Sequence, residues 1–448
     1  MGRLFGTDGA RGVANTELGC ELALNIGRAA AMILTKNDKH PTILIGMDTR
    51  VSSDMLAAAM TAGLISVGAN VMNIGVVPTP AVAFLVEKYG CSAGVMISAS
   101  HNPCEYNGIK LFDGHGYKLP DMVEEEIEAI VLDKAEQPPV PTGGELGRII
   151  PSPDAIADYI DHLCETVETR FEGLKIAIDC ANGSSSVTAE KLFTRLGAEC
   201  IMLSAAPDGV NINKNCGSTH MGELCRQVKQ HGCDLGLAFD GDADRCLAVD
   251  GGGELVDGDQ MMAIFAKEMK ANGRLKENSL VVTVMSNLGL FHFARDNGIT
   301  AVKTKVGDRY VLEEMRLNGY VLGGEQSGHL IFTDFATTGD GQLSAVQLLA
   351  TIKRTGASLK ELASCMQVFP QTLVNITVNN EAKARLEIDN EVRAAVRRAQ
   401  EELADDGRVL VRPSGTEPLV RVMVEGKVQA DIERIANDVA DTIKERLA

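Results

Sequence analysis

The chain has 448 residues and a formal net charge of −18, from 61 acidic and 43 basic side chains. At roughly 100–200 residues per domain, that length predicts two to four domains, and the acidity excludes sequence-independent nucleic-acid binding, which rests on neutralising phosphates. With 45% hydrophobic and 23% charged residues the chain is not a disordered one, and 4% aromatics with no Trp exclude stacking platforms for single strands.

A helix pattern from Leu18 to Leu34 precedes a strand at Thr42–Met47. A second helix, Met55–Val67, precedes Val71–Val76, and Ala93–Ile97 is a third apolar strand. Short apolar runs alternating with helical periodicity mark α/β units. After the Pro/Gly-rich connection at 137–144, Pro151-Ser152-Pro153 opens a helix, and strands follow at Lys175–Ile178, Glu199–Leu203 and Asp234–Phe239. Gly251-Gly252-Gly253 turns a hairpin, and Asp257 to Asp259 supply the cap of the next helix. Strands recur at Leu280–Met285, Thr300–Lys303 and Tyr320–Leu322. Beyond Phe369-Pro370 the character changes to an alternating strand (Thr372–Val378), a long charged helix, two strands around Arg412–Val424 and a final helix. The segmentation predicts four domains. Residues 1–150, 151–254 and 255–369 form related α/β units with mixed sheets flanked by helices, and 370–448 a smaller α+β unit.

No run approaches the ~18 apolar residues that span a bilayer, and the opening Met1-Gly2-Arg3-Leu4-Phe5-Gly6 lacks a secretory hydrophobic region. Eleven cysteines scattered without C-x-x-C make neither a disulfide framework nor a zinc ribbon. The expectation is a cytoplasmic protein with reduced, mostly buried thiols and no membrane partner.

Four segments could carry chemistry. Ser98-Ala99-Ser100-His101-Asn102-Pro103 follows an apolar strand and presents a hydroxyl at the carboxyl edge of a sheet, where α/β proteins bind ligands; a plain turn has the same composition. Asp240-Gly241-Asp242-Ala243-Asp244-Arg245 places three carboxylates at alternate positions, which suits one hard cation such as Mg²⁺ with room for water and a phosphate oxygen; a solvated acidic turn is the plainer alternative. An EF-hand is excluded, because its sixth position would be Arg245 and its twelfth Gly251. Gly323-Gly324-Glu325-Gln326-Ser327-Gly328-His329 breaks two apolar strands and can approach a polyhydroxylated ligand, or form a bulge. Arg412-Pro413-Ser414-Gly415-Thr416-Glu417-Pro418, with Arg421 beyond, has the makings of a phosphate nest or of a capped β-turn. Arg11 is a further candidate anion ligand, and the absence of a Walker A loop leaves nucleotide-driven chemistry unsupported.

In this order the segments resemble the motifs of the α-D-phosphohexomutase superfamily over essentially the whole chain. The opening Gly6-Thr7-Asp8-Gly9-Ala10-Arg11-Gly12 and the chain length are most similar to its amino-sugar branch. The resemblance implies four domains around a central cleft. It implies that Ser100 carries a phosphoryl group with His101 beside it as a further catalytic residue, and that Asp240, Asp242 and Asp244 hold one Mg²⁺ with a phosphoserine oxygen, Arg245 adjoining them. By the same resemblance Glu325 and Ser327 read the sugar, and Arg412, Ser414, Gly415, Thr416 and Arg421 hold the non-reacting phosphate. Arg11 and Lys110, in Asn107-Gly108-Ile109-Lys110, are implied to lie near the transferring group, on the side away from the metal loop. The implied reaction interconverts glucosamine 6-phosphate and glucosamine 1-phosphate through a sugar bisphosphate, supplying amino-sugar nucleotides. Glucose or mannose phosphates would use the same machinery, and a sugar-phosphate binding protein without turnover is the alternative of another class. The sequence departs from related hexose mutases at Lys305-Val306-Gly307-Asp308-Arg309, where a His is common; Asp308 and Arg309 are the candidate substrate contacts there. Cys104 has no role in the pattern, and Ser98 is the neighbour of the carrier.

Overall fold

The computed structural model describes residues 3–6, 8–35, 38, 41–386, 388–413 and 418–447. The chain divides into two units, 1–285 with 298–365, and 286–297 with 366–448.

The first sheet is built from β1 (Phe5–Gly6), β2 (Gly9–Val13), β3 (Thr42–Met47), β4 (Asn70–Val76), β5 (Ala93–Ile97), β6 (Tyr106–Asp113) and β7 (Ile149–Ile150). Its spatial order is β1-β2-β6-β5-β3-β4-β7, and its helices are α1 (Cys20–Leu34), α2 (Val51–Ser66), α3 (Thr79–Lys88) and α4 (Asp121–Asp133). Strand β5 is buried at every position and pairs parallel with β3 and antiparallel with β6. A strand covered on both faces reads as an unbroken apolar run, which is why the sequence shows it so clearly. Helices α1 and α2 pack closely because Gly63 has no side chain; a Cβ there would lie 2.2 Å from the Leu24 carbonyl oxygen.

The second sheet has the order β12-β11-β10-β8-β9. Its elements are α5 (Ala155–Glu165), β8 (Lys175–Asp179), α6 (Ala189–Arg195), β9 (Glu199–Leu203), α7 (Gly222–His231), β10 (Leu235–Phe239), β11 (Cys246–Asp250) and β12 (Leu255–Val256). The third follows with α8 (Gly258–Ala271), β13 (Ser279–Thr283), α9 (Leu288–Asp296), β14 (Thr300–Thr304), α10 (Asp308–Asn318), β15 (Leu322–Gly324), β16 (Leu330–Phe332), α11 (Gly341–Thr355) and α12 (Leu359–Ala363). Its strand order is β14-β13-β15-β16, and α9 belongs to the second unit. Helix α8 starts with a reciprocal capping box between Asp257 and Gln260. Helix α11 is buried from Gly341 to Ile352 although it carries Gln342, Ser344 and Gln347. Most of those groups find donors or acceptors: Gln342 Nε2 donates to Thr188 Oγ1 at 2.7 Å and Ser344 Oγ to the Asp340 carbonyl at 2.7 Å, while Gln342 Oε1 has no hydrogen-bond partner among the described residues.

In the second unit β17 (Gln371–Thr377), α13 (Asn380–Arg385), α14 (Asn390–Leu403), β18 (Gly407–Pro413), β19 (Leu419–Gly426) and α15 (Gln429–Leu447) form an antiparallel sheet, β17-β19-β18, covered by helices. Ile376, Val420, Val422 and Val424 from the sheet meet Ile432, Ile435 and Val439 from α15.

The observed elements correct the sequence reading at several points, of which these bear most on the site. Helix α1 begins at Cys20, after Leu18, and β15 lies two residues beyond Tyr320. The long charged helix is two helices, because Asp389 accepts the N–H groups of Glu391 and Val392 and so caps α14. Strand β6 was not expected at all. Among the described residues all eleven cysteines are free, and no helix is long and apolar enough to cross a membrane.

The N-terminal segment that carries β1 and β2 is tied down by Glu128, whose carboxylate accepts the N–H groups of Arg3 (2.9 Å), Leu4 (2.7 Å) and Phe5 (2.7 Å). Burial alone would raise this carboxyl, but the three donors outweigh it and hold it below its ordinary 4.5. Its stabilisation is therefore complete above pH 4.5 and is lost as pH falls through the lower folded value. Glu128→Gln should weaken the attachment by about 1–3 kcal/mol, read as faster amide exchange at residues 3–5. Unchanged exchange there would contradict this anchoring.

Candidate active site

Three turns that follow the carboxyl ends of β5, β10 and β15 converge within the first unit. Ser100, three residues past β5, adopts φ +53, a left-handed conformation that costs a non-glycine residue about 1–3 kcal/mol. Its Oγ donates to Asp240 Oδ2 at 2.6 Å and lies 3.2 Å from His101 Nδ1. Ser98 is placed differently. Its hydroxyl donates to Asp48 Oδ2 at 2.6 Å and accepts the Ser100 N–H at 3.0 Å, so it braces the turn from behind.

The turn after β10 buries Asp240, Asp242 and Asp244, and one carboxylate oxygen from each lies within 4.8 Å of the others. Gly241 brings this turn against the serine turn, because a Cβ there would lie 2.4 Å from the Ser100 carbonyl oxygen. Asp242 Oδ2 accepts from Lys110 Nζ at 2.6 Å and from Thr79 Oγ1 at 2.5 Å, while the Asp242 carbonyl accepts the Thr79 N–H at 2.9 Å. Lys110 Nζ is also 3.5 Å from Asp244 Oδ2. Lys110 is thus inside the acidic cluster and not across from it. Strand β6 sets Lys110 opposite Met96 of β5, which delivers its stem to the carboxylates. Burial works against its charge, but Asp242 and Asp244 outweigh burial and raise it above the ordinary lysine value.

Burial first, then Asp244 and Asp242, push the Asp240 carboxyl well above the ordinary range. Burial opposes ionisation of Asp244 as well, but Lys110, His329 and Arg245 outweigh it and hold that group well below. Asp242 is also held low, since Lys110 and Thr79 overcome burial and the repulsion of Asp244. Asp242 Oδ1 and Asp244 Oδ1 are buried with no hydrogen-bond partner among the described residues. An all-oxygen set with two orphaned carboxylate oxygens and one carboxyl driven to take up a proton fits a hard divalent cation. Asp240, Asp242 and Asp244 can therefore hold a metal ion.

Basic groups line the same turns. Arg245 donates its N–H to Asp240 Oδ1 at 3.2 Å, and its Nε is 3.8 Å from Asp244 Oδ1. Burial opposes its charge, yet Asp244 and Asp240 raise it further above the ordinary value. Arg11 sits opposite Gly108 of β6, two residues along one strand face from Lys110, and pairs with Asp8 at 3.5 Å. His101 is lowered to about 4 by burial and by Arg245 and Arg11, so its imidazole is neutral at pH 7.

In the turn after β15, Glu325 accepts the Gly307 N–H at 3.1 Å, and Ser327 Oγ is buried without a partner among the described residues. His329 closes this turn and was given no role in the sequence reading. Its Nδ1 lies 3.6 Å from Asp244 Oδ2 and its Nε2 3.4 Å from Asp308 Oδ2. Burial would lower His329, but Asp244 and Asp308 together raise it above its ordinary value. Asp308 also pairs with Lys118, and Arg309 with Glu124 at 2.9 Å and with Asp121. Both are engaged in ion pairs between elements of the first and third sheets, which argues against the substrate contacts expected of them. Cys104 is half-buried, and burial raises its thiol.

In the second unit Arg412 and Arg421 are direct cross-strand partners of β18 and β19. Burial, then Arg421, lower Arg412. Like charges placed opposite one another destabilise a sheet unless an anion joins them. Ser414, Gly415 and Thr416 lie outside the described residues.

Family models match along the chain in order. They are phosphoglucomutase/phosphomannomutase alpha/beta/alpha domain I over residues 2–138, domain II over 157–253, domain III over 257–369, and the C-terminal domain over 373–442. A phosphoglucosamine mutase of Clostridium novyi is 56% identical over 447 residues, covering 100% of this chain and 99% of the relative. One from Acetivibrio thermocellus is 55% identical over 448 residues, covering 100% of both. Among solved structures, a phosphoglucomutase/phosphomannomutase family protein of Burkholderia thailandensis superposes with a TM-score of 0.83 at 25% identity, covering 99% of this chain and 97% of that one. The chain belongs to the phosphoglucomutase/phosphomannomutase family, the α-D-phosphohexomutases, and is similar over its full length to phosphoglucosamine mutases.

Proposed function

We propose that the chain interconverts glucosamine 6-phosphate and glucosamine 1-phosphate through a phosphoserine at Ser100 and a bisphosphorylated sugar. The observation that carries the reading is the Ser100 hydroxyl held 2.6 Å from Asp240, on a buried cluster of three carboxylates. Full-length relatives at 52–56% identity named phosphoglucosamine mutase supply the substrate. Four domains, 1–150, 151–254, 255–369 and 370–448, carry the serine, metal, sugar and phosphate loops respectively in this reading.

Asp240, Asp242 and Asp244 would hold Mg²⁺, with a phosphoserine oxygen added to the set. When bound, that ion neutralises charge on the transferring group. Lys110 keeps Asp242 and Asp244 ionised and in place, and His329 meets the same Asp244 oxygen, Oδ2. Arg11 and Arg245 supply further positive charge close to Ser100. In the first half-reaction the bond from phosphorus to the serine oxygen breaks as one forms to the free sugar hydroxyl, whose proton ends on Ser100 Oγ. The bisphosphorylated sugar then turns over, and the reverse step returns its other phosphoryl group to Ser100. Glu325 and Ser327 hold sugar hydroxyls in both orientations, and Arg412 and Arg421, with Ser414, Gly415 and Thr416, hold whichever phosphate is not reacting. Neutral His101 beside the serine adds no charge of its own to the site.

Ser100→Ala should lower turnover by about 10³-fold or more with the fold unchanged, and intact mass after treatment with a sugar bisphosphate should show one phosphate on Ser100 of the wild type only. Substantial activity in that variant would rule out the phosphoserine. Comparison of glucosamine, glucose and mannose phosphates at equal concentration tests the substrate, and faster turnover of glucose 1-phosphate would replace it.

Metal should also stabilise the folded protein. At a hundredfold excess of Mg²⁺ over its Kd the gain is about 2.7 kcal/mol, seen as a rise in the unfolding temperature of the wild type. Asp242→Asn should lose that rise together with metal-dependent turnover; an undiminished response to Mg²⁺ would remove the acidic cluster from the metal site.

A further inference from the structure

The Ser100 turn is gripped from behind by a side chain that reaches no solvent. Arg50, at the start of α2, has a fully buried guanidinium. Its Nη2 donates to the Ser100 carbonyl at 3.0 Å and the Asn102 carbonyl at 2.9 Å, and its Nη1 to the Pro103 carbonyl at 2.6 Å. Its Nε donates to Asp48 Oδ2 at 2.8 Å. Asp48 also accepts from Ser53 Oγ at 2.9 Å and from Ser98 Oγ at 2.6 Å, and Ser98 in turn receives the Ser100 N–H. From the loop between β9 and α7, Asn213 Nδ2 donates to the same two carbonyls, of Ser100 at 2.8 Å and of Asn102 at 3.0 Å.

Three carbonyls of one short turn therefore converge on a single cation. Only a planar fork with five N–H donors can serve them while keeping its carboxylate partner, and an ammonium has three donors on one atom. Drawing the Ser100 carbonyl inward holds the residue at φ +53 and leaves its Oγ facing Asp240. The pairing with Asp48 neutralises the guanidinium, so the grip is geometric and not a source of field at the serine.

We propose that Arg50 is a positioning residue for phosphoryl transfer, holding the Ser100 turn in the one conformation that serves transfer to and from either end of the sugar. The proposal rests on Ser100 being the phosphoryl carrier. A displacement of the reacting atoms of about 1 Å costs on the order of 100-fold in rate, and Arg50 does not touch the sugar, so kcat and not KM should respond.

The test uses the full chain, phosphorylated with glucose 1,6-bisphosphate and quantified by intact mass, so that kcat is expressed per phosphorylated molecule. Arg50→Lys should lower that kcat by about 30- to 100-fold with KM within about threefold of the wild type. A merely structural role would reduce only the folded, phosphorylatable fraction and leave kcat per phosphorylated molecule unchanged, and that result overturns the proposal. Should Arg50→Lys fail to fold, Ser98→Ala removes only the hydroxyl between Asp48 and the Ser100 N–H. It should lower kcat about tenfold at constant KM, and an unaltered kcat would be equally decisive against the grip. Wild type that takes no phosphate on Ser100 would overturn the functional reading and this proposal with it. Normal labelling of the wild type with unchanged variants overturns the positioning role alone.

Discussion

Three carboxylates buried within 4.8 Å of one another cannot all stay ionised unless positive charge is packed against them, and much of the first unit is arranged around that constraint. Lys110 arrives on β6, Arg245 from the acidic turn itself, and His329 from the turn after β15. Lys110 comes from the interior of a strand and the other two from turns between strands, and together they draw elements of three sheets onto one turn. The hydrogen bonds of Thr79 to Asp242 and of Ser100 to Asp240 extend the same cluster into the first sheet. Asp242 Oδ1 and Asp244 Oδ1 have no hydrogen-bond partner among the described residues, and that unsatisfied capacity is what a divalent cation would complete.

A second set of polar contacts lies behind the first and does different work. Asp48, Arg50, Ser98 and Asn213 satisfy the backbone of the serine turn and make its left-handed residue tenable. Strain of that kind persists only where the surroundings over-determine it. Both sides of the turn are buried, but the front is charged and incompletely satisfied and the back neutral and saturated. Ser98 and Ser100, two residues apart, fall on opposite sides of this division, the first bracing the turn through Asp48 and the second facing Asp240.

The net charge of −18 argues against nucleic-acid binding, yet it describes the whole surface and says nothing of a local phosphate site. Arg11, Lys110 and Arg245 gather in the first unit, and Arg412 and Arg421 face each other in the second. A local field decides anion binding, and average composition has no access to it.

Strand β5, the acidic turn and the glycine-rich turn were legible in the sequence because each joins an apolar run to residues whose chemistry is local. Strand β6 was not, since Asn107, Gly108 and Lys110 interrupt its apolar pattern, and Lys110 is buried only because Asp242 and Asp244 wait for it. Helix α11 hid its burial behind Gln342 and Gln347, whose partners come from distant segments. The sequence by itself determined the order of α/β elements, the oxygen donors for a metal and the serine turn, because periodicity and turn chemistry act over a few residues. Only the tertiary structure decided that Lys110 belongs to the acidic cluster, that His329 meets Asp244 and Asp308, that Asp308 and Arg309 are engaged in ion pairs, and that Arg50 closes on the back of Ser100. Each of those depends on contacts between residues far apart in the chain, where burial and charge compensation are settled by packing.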